Sequence, residues 1–346
     1  MRLVLDKEQQ ELRSTVRKLL AEQGRVREIL DSGEGIDRPL WQLLTTELGL
    51  AGLVVPESSG GAGAGHIERA IVLEELGRSL AQVPFFASAV LAVDTAQALR
   101  DEELVPRLAS GELIGTVAVS GDWGPVPVTA TERDGGWVLD GQAPFVIAGD
   151  VADVVYVYTG EWFAVTEGFE RKALRTLDPT RPVARLEFSA TPARRLDGDP
   201  VGQIRDLAAV ALAAEQAGGM GRVLEMTTEY AKVRVQFGRA IGSYQAVKHA
   251  LADMYSAYEQ AGSLVRHAAW AADEDPEALP LAAAATQSFV GPAYFKAAAD
   301  GVQLHGGIGY TWEHDAHLYY KRAKTSELLF AGAADQLVRR LGLEPA

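Results

Sequence analysis

Cysteine is absent from all 346 residues, which excludes disulfides, thiolate zinc sites and a cysteine nucleophile. No apolar run reaches membrane-spanning length, and the opening Met1-Arg2-Leu3-Val4-Leu5-Asp6-Lys7 lacks the apolar core of a secretory signal. A cytoplasmic location is the expectation. Positive charge is in deficit: 33 Lys and Arg against 47 Asp and Glu leave a net charge of −14. That balance disfavours nucleic acid or an anionic membrane as the main partner. Local basic clusters such as Lys321-Arg322-Ala323-Lys324 can still meet a phosphate. What is there, 47% hydrophobic and 23% charged residues, is ordinary for a soluble globular protein. The length suffices for a large core and two or three domains.

From about Leu5 to Leu113 the pattern is helical. Asp6 is a candidate N-cap with Gln9 three residues on, as in a capping box, and Leu12, Val16, Leu19 and Leu20 mark one apolar face. A helix around Pro39 to Leu48 should end at Gly49. The glycines of Gly60-Gly61-Ala62-Gly63 lack a following Lys-Ser/Thr and the dinucleotide-binding spacing, so they read as a loop before a helix at His66–Arg78. From Ile114 to about Leu196 short alternating runs appear, such as Thr116-Val117-Ala118-Val119 and Asp153-Val154-Val155-Tyr156-Val157-Tyr158. Asp134-Gly135-Gly136 and Asp140-Gly141 are both hairpin signals, and strands at this spacing suggest a small antiparallel barrel or sandwich. Beyond Gly202 the chain is helical again, in four long runs that suggest an up-down bundle. The expected class is α+β, with an N-terminal helical domain over 1–114, a small antiparallel β-domain over 115–198 and a C-terminal four-helix domain over 199–346.

Two stretches interrupt the alanine-rich helical runs with glycine and a planar polar or cationic side chain. The first is Arg234-Val235-Gln236-Phe237-Gly238-Arg239-Ala240-Ile241-Gly242. The second is Gln303-Leu304-His305-Gly306-Gly307-Ile308-Gly309-Tyr310. Glycines that let backbone approach closely, beside an Arg and a Gln, suit a polyanionic cofactor lying across helix ends.

Together these stretches resemble the acyl-CoA dehydrogenase family. Val55 to Gly63 followed by Val72-Leu73-Glu74-Glu75-Leu76-Gly77-Arg78 is similar to that family's N-terminal signature, and Trp137 to Gly141 and Phe145 to Asp153 resemble its β-domain. Tyr230 to Met254 and Val302 to Ala323 match its C-terminal domain. The resemblance covers essentially the whole chain. It implies an acyl-CoA dehydrogenase-like fold, FAD bound between subunits, and α,β-dehydrogenation of an acyl-CoA, with an electron-transfer flavoprotein as acceptor. It also implies roles for residues that reach a neighbouring subunit's FAD. Arg234 would pair with the pyrophosphate and Phe237 would pack on the cofactor. Gln303 and Gly307 would reach the adenosine end, with Gly306 keeping that backbone uncrowded. The competing readings are a surface salt bridge for Arg234 and a helix cap for Gln303.

Residues resembling a chain's own flavin and thioester site are missing. The family's Thr-Glu-Pro…Gly-Ser-Asp stretch is replaced by Ser120-Gly121-Asp122-Trp123-Gly124-Pro125, and its flavin-side Thr or Ser by Ala148, which offers no side-chain hydrogen bond. The reaction needs a carboxylate over the substrate α-carbon. Most members carry that Glu where this chain has Ala331, with one residue inserted upstream; a second group carries it where this chain has Ala208. Two substitutes are expected candidates. Glu215 lies two turns from Ala208, roughly 10 Å along the helix, and Glu327 sits a turn before Ala331. His314 and His317, at i and i+3, raise a metal reading, but no third ligand at metal spacing follows, and a helix N-terminus is the expectation there.

The retained and missing parts are complementary, so the resemblance implies the smaller, non-basic subunit of an α2β2 acyl-CoA dehydrogenase whose partner subunit supplies the flavin pocket and the glutamate. Such two-gene enzymes belong to an actinobacterial branch resembling enzymes of steroid side-chain degradation, and the arginine-rich, lysine-poor composition agrees with that branch. The alternatives are a self-sufficient homo-oligomer with a relocated base and a non-catalytic flavin-binding scaffold.

Overall fold

The computed structural model describes residues 4–121, 123–329 and 332–343. The helices are α1 (Lys7–Gln23), α2 (Val26–Ser32), α3 (Arg38–Gln42), α4 (His66–Ser79), α5 (Val93–Ala98) and α6 (Val105–Ala109), then α7 (Val201–Val233), α8 (Gln245–Glu274), α9 (Leu279–His305), α10 (Ala316–Leu329) and α11 (Ala333–Arg340). Between α6 and α7 lie β1 (Gly115–Ala118), β2 (Val128–Arg133), β3 (Gly136–Ile147), β4 (Val154–Tyr158), β5 (Trp162–Val165), β6 (Phe169–Ala173) and β7 (Val183–Leu196); β8 (Val235–Gln236) and β9 (Arg239–Ala240) form a small hairpin after α7. No helix of the described residues is long and apolar enough to cross a membrane.

Local signals place several boundaries. Asp6 accepts from Gln9 N at 2.9 Å while Gln9 Oε1 accepts from Asp6 N at 3.1 Å, closing the capping box of α1. Gly49 takes the left-handed conformation, φ 64°, after a π-helical turn over Leu43–Glu47. Asp134 and Gly135, with φ of 51° and 80°, make the tight turn between β2 and β3. The Asp140-Gly141 hairpin reading is corrected. That dipeptide lies inside β3, at a register shift where Gly141 has φ 134° and a Cβ would meet Pro127 O at 2.5 Å. Close backbone approach at a bulge, not chain reversal, is what the glycine provides there.

The chain packs as two compact units. One comprises residues 25–69 and 82–208. Its seven-stranded sheet runs β1-β4-β5-β7-β3-β2 with β6 on β7, antiparallel except for the parallel β1–β4 pair. Leu139, Val155, Val157, Phe163, Val165, Leu186 and Phe188 fill its core. Gly115 N donates to Ser88 Oγ at 3.0 Å, tying β1 to the π-helical segment Phe86–Ala92.

The other unit comprises residues 1–24, 70–81 and 209–346. Within it, α8 turns an apolar stripe inward through Met254, Ala261, Val265, Ala268 and Ala269, which is the spacing of one helix face. α9 is packed by α8, α10 and α11. The α4 and α7 backbones touch at reciprocal glycines. A Cβ on Gly77 would stand 1.9 Å from Glu215 O, and one on Gly218 would stand 1.8 Å from Glu74 O. Arg13 and Arg17 of α1 then hold the two carboxylates of α4: Arg13 bonds Glu74, and Arg17 bonds Glu75 through Nε at 2.8 Å and Nη2 at 2.6 Å.

Gly77→Ala and Gly218→Ala should each cost about 2–3 kcal/mol, since backbone on the facing helix cannot give way. Gly202→Ala, whose Cβ would meet nothing within 4 Å, should be neutral or stabilise by up to about 1 kcal/mol. Urea unfolding of the three variants checks the contrast.

Candidate cofactor half-site

The hairpin that follows α7 grows out of the helix without a break. Arg234 N donates to Tyr230 O at 2.9 Å, and Ile241 N returns to Arg234 O at 2.8 Å. β8 and β9 pair Val235 with Ala240 and Gln236 with Arg239. The turn between them puts Phe237 at φ 54° and Gly238 at φ 79°, the geometry of a two-residue hairpin that ordinarily takes Asn-Gly. A bulky aromatic in the left-handed region is strained, and Phe237 is also 93% exposed. Below it the Arg239 guanidinium lies 3.9 Å from the Tyr244 ring centroid and Tyr244 Oη donates to Gln236 O at 3.2 Å. The hairpin is therefore braced at its base and presents the ring at its tip.

Arg234 is exposed, and among the described residues no carboxylate pairs with it. The salt-bridge reading loses its support. Gln303 is likewise exposed. The cap at the end of α9 is the Gly306 N–H bonding Gln303 O, a backbone contact that leaves the Gln303 amide unused. Gly306 sits at φ 65°, ψ −144°, a conformation restricted to glycine. A Cβ on Gly306 or Gly307 would meet nothing within 4 Å, so no crowding within the chain accounts for Gly307. A guanidinium and an amide without side-chain partners among the described residues, beside an open glycine turn, are the parts an anionic, adenosine-bearing cofactor would need.

Three rings bring the two stretches together, and sequence reasoning missed them. The Tyr230 ring stacks on His305 with centroids 4.6 Å apart, and His314 packs on His305 at 4.3 Å. Tyr230 lies one turn before Arg234; His305 lies between Gln303 and Gly306. The end of α7 and the end of α9 are thus pinned side by side. Neither residue carries a local sequence signal, because each finds its partner in a different helix. His305 is buried, its Nδ1 lies 2.7 Å from Gly301 O, and burial lowers its pKa while that carbonyl acts in the opposite sense.

The candidate bases stand elsewhere in the same unit. Glu215 is buried, and Arg322 Nη1 of α10 donates to its Oε1 at 2.8 Å. Glu327 accepts from Lys324 Nζ at 2.7 Å and lines a cleft of about 300 Å³ with Gln287, Ser288 and Gly291. Ala208 is fully buried; Ala331 lies outside the described residues. In the β-bearing unit Ala148 is buried at φ 52° and its N–H bonds Pro182 O. The Ser120–Pro125 stretch, of which Asp122 is outside the described residues, forms a turn closed by Trp123 N to Ser120 O at 2.9 Å, with the Trp123 ring buried. His314 Nδ1 accepts from Ala316 N at 3.1 Å and the buried His317 packs against Trp312, so both imidazoles already serve the start of α10.

Two family models match the chain: the acyl-CoA dehydrogenase N-terminal domain over residues 6–112 and the acyl-CoA dehydrogenase C-terminal domain over residues 206–341. Acyl-CoA dehydrogenase IpdE2 of Mycobacterium tuberculosis is 39% identical over 97% of each chain. The chain belongs to the acyl-CoA dehydrogenase family. Among solved structures, a chain of the ChsE4-ChsE5 complex from Mycobacterium tuberculosis aligns with TM-score 0.90 and 33% identity over 100% of both chains. A chain of the Tcur3481-Tcur3483 steroid ACAD aligns with TM-score 0.87 and 29% identity over 97% of both. Butyryl-CoA dehydrogenase from Megasphaera elsdenii, at 22% identity and TM-score 0.88 over 99% of both, shares the fold. FAD is the cofactor that membership of this family brings, and oxidation of acyl-CoA thioesters is the family's chemistry.

Arg322→Met would remove the guanidinium that pairs with the buried Glu215 carboxylate. A loss of about 3–5 kcal/mol in chemical denaturation is expected, with a smaller loss for the Glu215→Gln, Arg322→Met pair.

Proposed function

We propose that this chain is the subunit without the catalytic base in a heteromeric FAD-dependent acyl-CoA dehydrogenase, built as α2β2 with a second acyl-CoA dehydrogenase chain. The observation that carries the reading is the contrast between two sets of residues. Arg234, Phe237, Gln303, Gly306 and Gly307 are exposed, and the Arg234, Phe237 and Gln303 side chains have no partner among the described residues. The flavin-side position is a buried alanine, Ala148, and Glu215 is already engaged by Arg322.

Bound FAD would supply the hydride-accepting chemistry at Cβ of the acyl-CoA. This chain contributes grip. Arg234 would offer its guanidinium N–H donors to the pyrophosphate; Phe237 would pack on the cofactor; the Gln303 amide and the Gly307 backbone would reach the adenosine end, with Gly306 keeping that backbone uncrowded. The carboxylate that takes the α-proton comes from the partner subunit, and Glu215 holds α10 to α7 through Arg322. The dehydrogenase relatives are described as a complex of two proteins and as a steroid enzyme, which supports a heteromer acting on a steroid side-chain thioester. An electron-transfer flavoprotein would reoxidise the flavin, and the cytoplasm is the expected compartment.

Flavin absorbance decides between this reading and its rivals. The chain expressed alone should be colourless or nearly so. Co-expressed with its partner, it should carry bound FAD that acyl-CoA bleaches. Stoichiometric FAD with bleaching by the chain alone would establish a homo-oligomer, making Glu327→Gln and Glu215→Gln the next variants; colour without bleaching in any combination would establish a scaffold. In the complex, Arg234→Met should weaken FAD binding by about tenfold to a hundredfold, the worth of a charge-assisted phosphate contact. In the chain expressed alone, without cofactor, the same variant should melt within a degree or two of its parent, because no described residue pairs with the Arg234 side chain.

A further inference from the structure

The Tyr230, His305 and His314 rings do more than pack. His305 Nδ1 is 2.7 Å from the Gly301 carbonyl, and a carbonyl only accepts, so the proton of His305 is on Nδ1. Its Nε2 is buried and has no hydrogen-bond partner among the described residues. His314 is the reverse. Its Nδ1 accepts from the Ala316 backbone N–H at 3.1 Å, so Nδ1 holds a lone pair and the proton is on Nε2. The two imidazoles, 4.3 Å apart, are therefore both neutral and in opposite tautomers.

Either proton gain damages the arrangement. A proton on His305 Nε2 places a buried cation with no acceptor against a second imidazole. A proton on His314 Nδ1 removes the acceptor that caps the first turn of α10. The groups in direct contact with the pair are Tyr230 from α7 and the Gly301 carbonyl from α9, and the titratable residues next to His314 in sequence are Glu313, Asp315 and, in the first turn of α10, His317. Tyr230 stacks on His305 and stands edge-on to His314, with centroids 6.5 Å apart.

The clamp's location gives it a function. Tyr230 is one turn from Arg234, and His305 immediately precedes Gly306-Gly307, so the rings set the distance between the two arms of the half-site. We propose that His305 and His314 are positioning residues for FAD, held as a neutral pair in opposite tautomers, and that protonating the pair releases Arg234 and Gln303 from the geometry that grips the cofactor. This rests on the FAD half-site reading above. Burial lowers the His305 pKa below its ordinary value near 6.5. The sign follows: the clamp is intact above about pH 6.5 and is lost as pH falls through the lowered folded-state value. Cofactor retention by this half-site is acid-sensitive.

Two measurements test it. Imidazole ¹⁵N–¹H correlation spectra of the chain without cofactor should show, at pH 7.5, the Nδ1–H tautomer for His305 and the Nε2–H tautomer for His314. The same tautomer in both, or a protonated His305 at that pH, overturns the proposal. In the FAD-loaded oligomer, the FAD dissociation constant is measured from pH 8 to 5.5 for the parent and for the His305→Asn, His314→Asn double variant. Asparagine supplies an N–H at the first position and an oxygen acceptor at the second without a titrating ring. The parent should weaken by roughly threefold or more toward the acid end, and the double variant should show no such slope. If the double variant does not fold, His314→Asn alone is used, and it should remove part of the parent's slope. Equal slopes with tight FAD sink the positioning role alone. FAD binding that never occurs, in any assembly or at any pH, sinks the half-site reading and this proposal with it.

Discussion

The packing of the helical unit depends on one contact between backbones. At Gly77 and Gly218 the α4 and α7 main chains meet with no room for a methyl group on either side. That closeness sets what surrounds it. Glu74 and Glu75 are carried to the surface of α4 where Arg13 and Arg17 reach them, and Glu215, on the residue whose carbonyl meets Gly77, turns its carboxylate toward α10 and Arg322. A buried charge is tolerable only when paired, so the glycine contact and the ion pair support each other. Together they fix α7, and the helix delivers Tyr230 and Arg234 to its far end.

The half-site uses rigidity in a different way. Phe237 and Gly306 both take positive φ, one at a cost and one at none. Between them the ring stack converts two helix ends into a single platform. Strain at Phe237 is stored where the side chain is 93% exposed and has no ring or cation partner among the described residues, the pattern expected of a residue shaped for contact with something else. The positions that the resemblance sets beside a chain's own flavin differ: Ala148 and Trp123 are buried.

Much of this was legible in the sequence where the signal was local. The capping box at Asp6, the turn at Asp134-Gly135, the helix stop at Gly49 and the two glycine-bearing stretches each depend on residues within a few positions, whose backbone chemistry is stated by residue type. Asp140-Gly141 shows the limit. The same dipeptide reads as a turn or as a bulge, and only the Pro127 carbonyl facing Gly141 decides between them. Glu215 was legible as a carboxylate of unusual position and not as half of an ion pair, because Arg322 arrives from a helix more than a hundred residues away. The Tyr230–His305 stack was hidden for the same reason. Residue roles set by tertiary contact leave no trace in spacing.

Phe237 carries one more consequence. A ring exposed at the tip of a braced hairpin is a sticky surface for as long as nothing covers it. Synthesis of this chain in excess of whatever seats on the hairpin would leave that surface open to non-specific association. Under the heteromer proposed above, the supply of the two components would need to be matched in the cell, and gene dosage would become as much a part of the protein's behaviour as its fold.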